Sequence, residues 1–365
     1  MPNFDHVVEI EYQPTFRTEK IVGMFDVPVK NKISKKWKVD LPIEEKDWNI
    51  GLIVGASGAG KTTIAKEAFK NSVYFEGHKW SKTAFVNDFE KGLDIKVITD
   101  ALSSVGFSSP PSWLLPYNCL SHGQQFRADL ARSILETKNT LVFDEFTSLV
   151  DRTVAKIGSY AVAKFVRKQQ RKLVAVTCHY DVAEWLEPDW VYDVSTMQFS
   201  RRLLRRPPIK ITIQRVHHSA WRIFKGHHYL SADLNKASRV YVAFIESQPV
   251  ALTAILPFPH PYVKNMWKEH RTVVLPDYQG IGLGSTISEH IGDLLLKEKK
   301  RYTSVSSHPA MIHHRAKSNK WTMTRSPSRS AKATTGVLAG TDSSKRLTAA
   351  FEYIYKKPIK VKTND

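Results

Sequence analysis

Apolar positions in this chain follow two rhythms, and the changes between them mark its elements. Ile50-Gly51-Leu52-Ile53-Val54 is an unbroken apolar run, the pattern of a strand buried on both faces. Thr63-Ile64-Ala65-Lys66-Glu67-Ala68-Phe69 then shifts to helical spacing. Two further buried-strand patterns end in polar side chains. Thr140-Leu141-Val142-Phe143 runs into Asp144-Glu145, and Leu173-Val174-Ala175-Val176-Thr177-Cys178 runs into His179. Between them Ala128-Asp129-Leu130-Ala131-Arg132 reads as helix.

The second half starts with a hairpin pattern, Val240–Ile245 and Pro249–Leu256 across the short turn Glu246-Ser247-Gln248. A strand at Arg271–Leu275, an amphipathic helix over Ser285–Leu296 and a strand at Tyr302–Ser306 follow. Thr324–Arg346, rich in Ser, Thr, Lys and Arg, reads as a mobile arm, and Arg346–Ile354 as a last strand or helix. Alternating strands and helices place the chain in the α/β class.

Length and charge divide this pattern. The 365 residues suggest two or three domains. Residues 1–200 hold 25 Lys/Arg and 25 Asp/Glu, whereas residues 201–365 hold 29 and 10, so the second half carries the whole net charge of +19. Arg201-Arg202-Leu203-Leu204-Arg205-Arg206-Pro207-Pro208 reads as a basic linker. The expected organisation is a domain at 1–200, a linker at 201–212 and a second domain at 213–365. Such asymmetry points the second half toward a polyanion, with nucleic acid as the expected partner. No apolar run of membrane-spanning length occurs, and Asp5, Glu9 and Glu11 do not suit a signal peptide. Cys119 and Cys178 lack metal or redox spacing, which suggests a reducing cytoplasm.

Gly55-Ala56-Ser57-Gly58-Ala59-Gly60-Lys61-Thr62 matches G-x-x-x-x-G-K-[ST] between a strand and a helix, with Thr63 next in line. Glycines let successive N–H groups turn inward on phosphate oxygens, and the new helix adds the positive end of its dipole. Lys61 is expected to reach the β- and γ-phosphates. Thr62 and Asp144 supply hard oxygen donors for Mg²⁺. Glu145 is placed to orient or deprotonate the attacking water.

Leu120-Ser121-His122-Gly123-Gln124-Gln125, between the phosphate loop and the acidic strand, resembles the signature sequence of ATP-binding cassette (ABC) proteins. The order of these motifs over about residues 1–200 is similar to that family. The resemblance implies an ATPase that dimerises head to tail, with Ser121, Gly123 and Gln124 of one copy covering ATP held by another. It also implies a D-loop at Ser148-Leu149-Val150-Asp151 and a γ-phosphate contact from His179. ATP rather than GTP comes from this resemblance. His122 departs from the family's usual glycine, and Asn87-Asp88 stands where a Q-loop glutamine belongs. The adenine-stacking aromatic stays open between Phe25 and Trp37.

Gln279-Gly280-Ile281-Gly282-Leu283-Gly284, after Leu275 and before the Ser285–Leu296 helix, resembles motif A of the GNAT acyltransferases. The resemblance implies a mixed α/β fold binding the pyrophosphate of acetyl-CoA or a related acyl-CoA on backbone N–H groups. A dinucleotide-binding loop would want an acidic residue about twenty positions on, where Lys297-Glu298-Lys299-Lys300 stands. Tyr302, His308 and Tyr229 are the candidate acid/base residues, with Tyr278 and His228 also chemically able. The histidine pairs at 217/218, 227/228 and 313/314 lack further ligands at zinc spacing, and no zinc is expected.

Trp221–Leu230 and Ser307–Ile312, with Arg315 and Trp321, are similar to the phage DNA-modification protein Mom, itself GNAT-like. The expected function is a soluble ATPase fused to an acyltransferase acting on nucleic acid or an acceptor bound to it. The alternatives are a nucleic-acid-binding ATPase with a silent acyltransferase module, and a protein or small-amine acetyltransferase.

Overall fold

The computed structural model describes residues 3–29, 32–201, 208–228, 233–259, 262–329 and 347–354. The chain forms two compact units that interleave along the sequence. The first comprises residues 1–77, 137–148 and 166–206, and the second residues 78–136, 149–165 and 207–365. Segments 78–136 and 149–165, which the charge pattern leaves in the first half, therefore group with the second.

The first unit contains a hairpin of β1 (Asn3–Glu11) and β2 (Lys32–Asp40). Its main sheet contains β3 (Ile50–Val54), β4 (Val73–Phe75), β5 (Leu141–Phe143), β6 (Leu173–Thr177), β7 (Trp190–Asp193) and β8 (Gln198–Arg201), in the order β4-β5-β6-β3-β7-β8. All neighbours are parallel except β7 and β8. Every residue of β3 and β6 is buried, which is why their sequences are apolar without alternation. Gly51 is required by close packing, since a Cβ there would lie 2.0 Å from the Trp190 ring. Adjacent strands β5, β6 and β3 end in Asp144, His179 and the phosphate loop. These groups thus share the carboxyl edge of the sheet, where open parallel sheets bind ligands.

The second unit is built on seven strands: β9 (Thr212–Val216), β10 (Arg239–Ile245), β11 (Gln248–Pro257), β12 (Met266–Val274), β13 (Arg301–Ser306), β14 (Trp321–Arg329) and β15 (Leu347–Tyr353). Their order is β14-β15-β13-β12-β11-β10-β9, and only β12 and β13 pair in parallel. Alternation sends Tyr241 and Ala243 to one face, where they pack with Ile287, Ile291 and Leu295 of helix Leu283–Lys297. Val240 and Val242 face the other side, with Trp221, Phe224 and Leu234.

One expectation changes here and one open choice is decided. Residues 324–329 continue β14 instead of starting a mobile arm, because β14 pairs with β15; residues 330–346 lie outside the described residues. The final segment is a strand, inserted between β13 and β14. Of the expected linker 201–212, Arg201 ends β8 and Thr212 begins β9, and residues 202–207 lie outside the described residues. Among the described residues no helix is long and apolar enough to cross a membrane.

Candidate functional site

In the first unit, Gly60 caps helix Lys61–Ala68 with φ of 105° and offers no side chain to its first N–H groups. Those donors stay available to an anion. Lys61 is 8 % exposed and its Nζ donates to the Ala56 carbonyl across the loop at 3.0 Å. Ala56 N–H donates to Ser195 Oγ at 3.2 Å. Trp37 fixes the other side: its Nε1 donates to the Ala59 carbonyl at 2.9 Å, and a Cβ on Gly60 would lie 2.4 Å from its ring. Trp37 is thereby committed to the loop's back, while Phe25 is 70 % exposed. Lys35, which the sequence did not single out, donates to the Gly58 carbonyl at 3.0 Å. Gly55, Ser57 and Thr63 complete the loop and the first helical turn.

Thr62 Oγ1 donates to Asp144 Oδ2 at 2.7 Å, so the two expected Mg²⁺ ligands are in contact. Two adjacent hard oxygens at a phosphate loop suit that ion. Glu145 is exposed, has a left-handed φ of 52°, and accepts from Ser148 Oγ at 2.6 Å. His179 is partly buried at the end of β6, with its backbone N–H on Thr177 Oγ1.

The signature residues belong to the second unit. Gln124 N–H donates to Ser121 Oγ at 3.3 Å, and the Gln124 side chain accepts from Ser121 N–H at 3.1 Å. This reciprocal pair is a capping box, so Ser121 and Gly123 stand at the start of helix His122–Glu136. Gly123 lies against Val154, which a Cβ would approach to 3.2 Å.

The second glycine loop repeats the logic of the first. Gly282 caps helix Leu283–Lys297 with φ of 92° and no capping side chain, and a Cβ there would meet nothing within 4 Å. Leu283 is buried as the helix anchor, while Gln279 Nε2 donates to the Val274 carbonyl at 3.0 Å. Leu275 N–H bonds the Val250 carbonyl at 2.9 Å and ties the loop's start to β11. Ile281 packs into the core beneath the helix, and Gly284 approaches Val274 and Met311.

The strands beside this loop diverge. β12 and β13 pair only from Met266–Arg301 to Lys268–Thr303, and opposite β11 the register skips His270. The result is a V whose closed end lies at Trp267 and Tyr302 and whose open end faces the glycine loop. Residues 198–313 match the acetyltransferase (GNAT) family.

Three solved structures illustrate the likenesses of the chain. The ribosomal-protein-S18-alanine N-acetyltransferase from Escherichia coli is 16 % identical, with 41 % of this chain and 98 % of that chain covered and a TM-score of 0.31. An IAA acetyltransferase from Bacillus cereus gives 12 %, 40 %, 99 % and 0.29 in the same order. A bacterial ABC transporter cassette solved as a dimer gives 18 %, 46 %, 90 % and 0.35. No curated protein matches the chain.

Within the GNAT segment the candidate acid/base residues separate. Tyr302 is fully buried at the closed end of the V, and its hydroxyl donates to Glu269 Oε2 at 2.7 Å. Burial, then the Glu269 charge, raises its pKa well above the ordinary tyrosine value. Tyr302 is therefore corrected from catalyst to structural group: its proton is committed to a buried carboxylate. His308 lies just past the open end of β13, and burial lowers its pKa, against the Ser108 carbonyl and Asp100. Tyr278 keeps its proton more tightly than usual because of burial and the nearby Asp277. Tyr229 lies outside the described residues.

Sequence reasoning missed the N-terminal half of β12 because Lys268-Glu269-His270-Arg271 does not look like a strand. Its buried carboxylate is held from afar. Arg315 Nη2 donates to Glu269 at 2.9 Å and 3.1 Å, and Ser288 Oγ joins at 2.5 Å. Burial opposes the Glu269 charge, but Arg315 with the Ser288 and Tyr302 hydroxyls holds its pKa below the usual carboxylate value. Lys268 and His270 are both lowered, first by burial and then by neighbouring cations. Arg271 and Arg325 act on Lys268, and Arg271, Lys268 and His228 act on His270, which falls to about 4. A spacing rule could not signal this cluster, because Arg325 comes from β14 and His228 from before β10.

Proposed function

We propose that this protein is an ABC-type ATPase fused to an acetyltransferase that moves an acetyl group from acetyl-CoA to an amine on nucleic acid or on an acceptor bound to it. The observation that carries the reading is the GNAT match at residues 198–313, combined with a glycine loop and uncapped helix start at the mouth of diverging strands.

Acetyl transfer joins the acceptor nitrogen to the thioester carbonyl carbon and breaks the carbon–sulfur bond. The amine's proton must leave, and the coenzyme A thiolate takes one up. In this reading Gln279, Gly280, Ile281, Gly282, Leu283 and Gly284 receive the pyrophosphate on backbone N–H groups, with Leu275 beside the pantetheine arm. His308, kept neutral near pH 7 by burial, accepts the proton. Lys268, its pKa lowered by burial and then by the Arg271 and Arg325 charges, favours an anionic acceptor, since a phosphate beside it would relieve that repulsion. The basic second half and the short stretches similar to Mom agree with a nucleic acid.

In the ATPase half, Lys61 and the N–H groups of residues 55–63 hold the phosphates. Thr62 and Asp144 hold Mg²⁺, which when bound neutralises charge on the phosphate oxygens. Glu145 orients the attacking water and His179 senses the γ-phosphate. Ser121, Gly123 and Gln124 from a second copy complete the site, making the homodimer the hydrolysing species.

Mass spectrometry of nucleosides from cells expressing wild type, Gly282→Glu or Glu145→Gln tests the reading. A new acetylated nucleoside present with wild type and absent with Gly282→Glu is the expected result. Unmodified DNA and RNA beside acetylated protein or metabolite would replace nucleic acid as acceptor. Salt-sensitive nucleic-acid binding without any coenzyme A binding would reduce the GNAT segment to a binding module.

A further inference from the structure

The helix that begins at the signature also supports the acyl-CoA loop. Arg127, six residues beyond Ser121, is 1 % exposed. Its Nη1 donates to the Pro276 carbonyl and its Nη2 to the Asp277 carbonyl, each at 3.1 Å. Burial pushes the guanidinium pKa down to about 10, partly offset by Asp277 and Asp151, so the group stays charged at neutral pH. Both acceptors are backbone oxygens of the turn that leads into Gln279 and Gly280. A cation buried on backbone carbonyls is costly to misplace, because each lost bond strands a desolvated polar group.

A second contact braces the same loop. Ser108 N–H donates to Gln279 Oε1 at 2.7 Å. Gly106 and Gly280 meet backbone to backbone. A Cβ on Gly106 would lie 2.6 Å from the Gln279 carbonyl oxygen, and one on Gly280 would lie 2.7 Å from Gly106 Cα. The Ser108 carbonyl also acts on His308, the base of the proposed reaction. Segment 106–127 thus touches both the pyrophosphate loop and the open end of β13.

We infer that Arg127, Gly106 and Ser108 are positioning residues for acyl-CoA, and that closure of a nucleotide on the signature end changes acyl-CoA affinity through helix His122–Glu136. This inference rests on the reading of residues 279–284 as the acyl-CoA loop. The mechanical requirement is modest: a helix pushed at Ser121 moves as a unit, and Arg127 is fewer than two turns along it. A loop held by two carbonyl bonds and a glycine contact shifts with it.

The test is calorimetric titration of acetyl-CoA into full-length wild type, Arg127→Met, Arg127→Lys and Gly106→Ala, each with and without a non-hydrolysable ATP analogue and Mg²⁺. Wild type is expected to change its acetyl-CoA affinity at least about fivefold on adding the analogue, the lower range of allosteric coupling. Arg127→Met and Gly106→Ala should bind acetyl-CoA about tenfold more weakly and lose the response, and Arg127→Lys should recover part of both. Analogue binding itself, measured in parallel, should survive in each variant. Wild-type acetyl-CoA affinity that ignores the analogue, or Arg127→Met and Gly106→Ala proteins that keep the full response, would overturn the inference. Failure of wild type to bind acetyl-CoA at all would instead remove the acyltransferase reading on which it stands.

Discussion

Arg315→Met isolates the buried pair that joins β12 to helix Pro309–Lys317. The substitution keeps side-chain bulk and leaves the Glu269 carboxylate without its cation. The Glu269 side chain is only 9 % exposed, and its remaining partners are the Ser288, Tyr302 and Ser304 hydroxyls. Breaking a buried pair from one side costs about 3–5 kcal/mol, so local opening should accelerate by roughly two to three and a half decades. Native-state hydrogen exchange on peptides covering residues 266–274 and 301–306 reads this directly.

The pH dependence should also reverse. In the wild type the folded pKa of Glu269 lies below the unfolded value, so its contribution is present above the unfolded pKa and lost as pH falls. Without Arg315, burial dominates and lifts the folded pKa above the unfolded one, so stability falls as pH rises through that window. Glu269→Gln with Arg315→Met removes both charges and should recover more than half of the loss. A single variant costing less than about 1 kcal/mol, or a double variant no better than the single, would refute the electrostatic account.

Asp144→Asn should reduce ATP hydrolysis at least about a hundredfold and weaken its Mg²⁺ dependence, because Thr62 Oγ1 and Asp144 Oδ2 are the paired donors at 2.7 Å; a magnesium titration of steady-state turnover checks this. Gly51→Ala should destabilise the first unit by several kcal/mol, since its Cβ would fall 2.0 Å from the rigid Trp190 ring, and urea unfolding of that unit measures the loss. In the helical segment, burial raises Asp129 to about 6 against hydrogen bonds from Tyr117 and Trp80 and the Arg132 charge, and burial followed by the Arg132 charge lowers His78 to about 4. Between pH 4 and 6 the folded protein holds a proton on Asp129 that the unfolded chain has released, so this group makes stability fall as pH rises. His78 acts oppositely, costing stability as pH falls from 6.5 toward 4. His78→Gln should therefore expose a falling stability between pH 4 and 6 that the wild type masks, and melts at half-unit pH steps that stayed flat in the variant would refute the Asp129 shift.

The sequence by itself determined the backbone of both glycine loops. Each is one strand, one glycine turn and one helix start, and its chemistry comes from N–H groups only a few bonds apart, so Gly55–Thr62 and Gln279–Gly284 were legible without distant partners. The order of phosphate loop, signature and acidic strand was legible for the same reason, as was the hairpin before β12. Tertiary structure alone decided what depends on residues far apart along the chain. Glu269 drew no reading from the sequence, because the Arg315 that neutralises it comes 46 positions later. Tyr302 reads as a candidate catalyst until the three-pair contact of β12 and β13 seals it inside. Segment 78–136 carries the signature in sequence, and only the tertiary structure shows that its Arg127 lies on the carbonyls of Pro276 and Asp277. Local backbone geometry is encoded by neighbours, whereas burial and charge pairing are set by which surfaces the chain brings together.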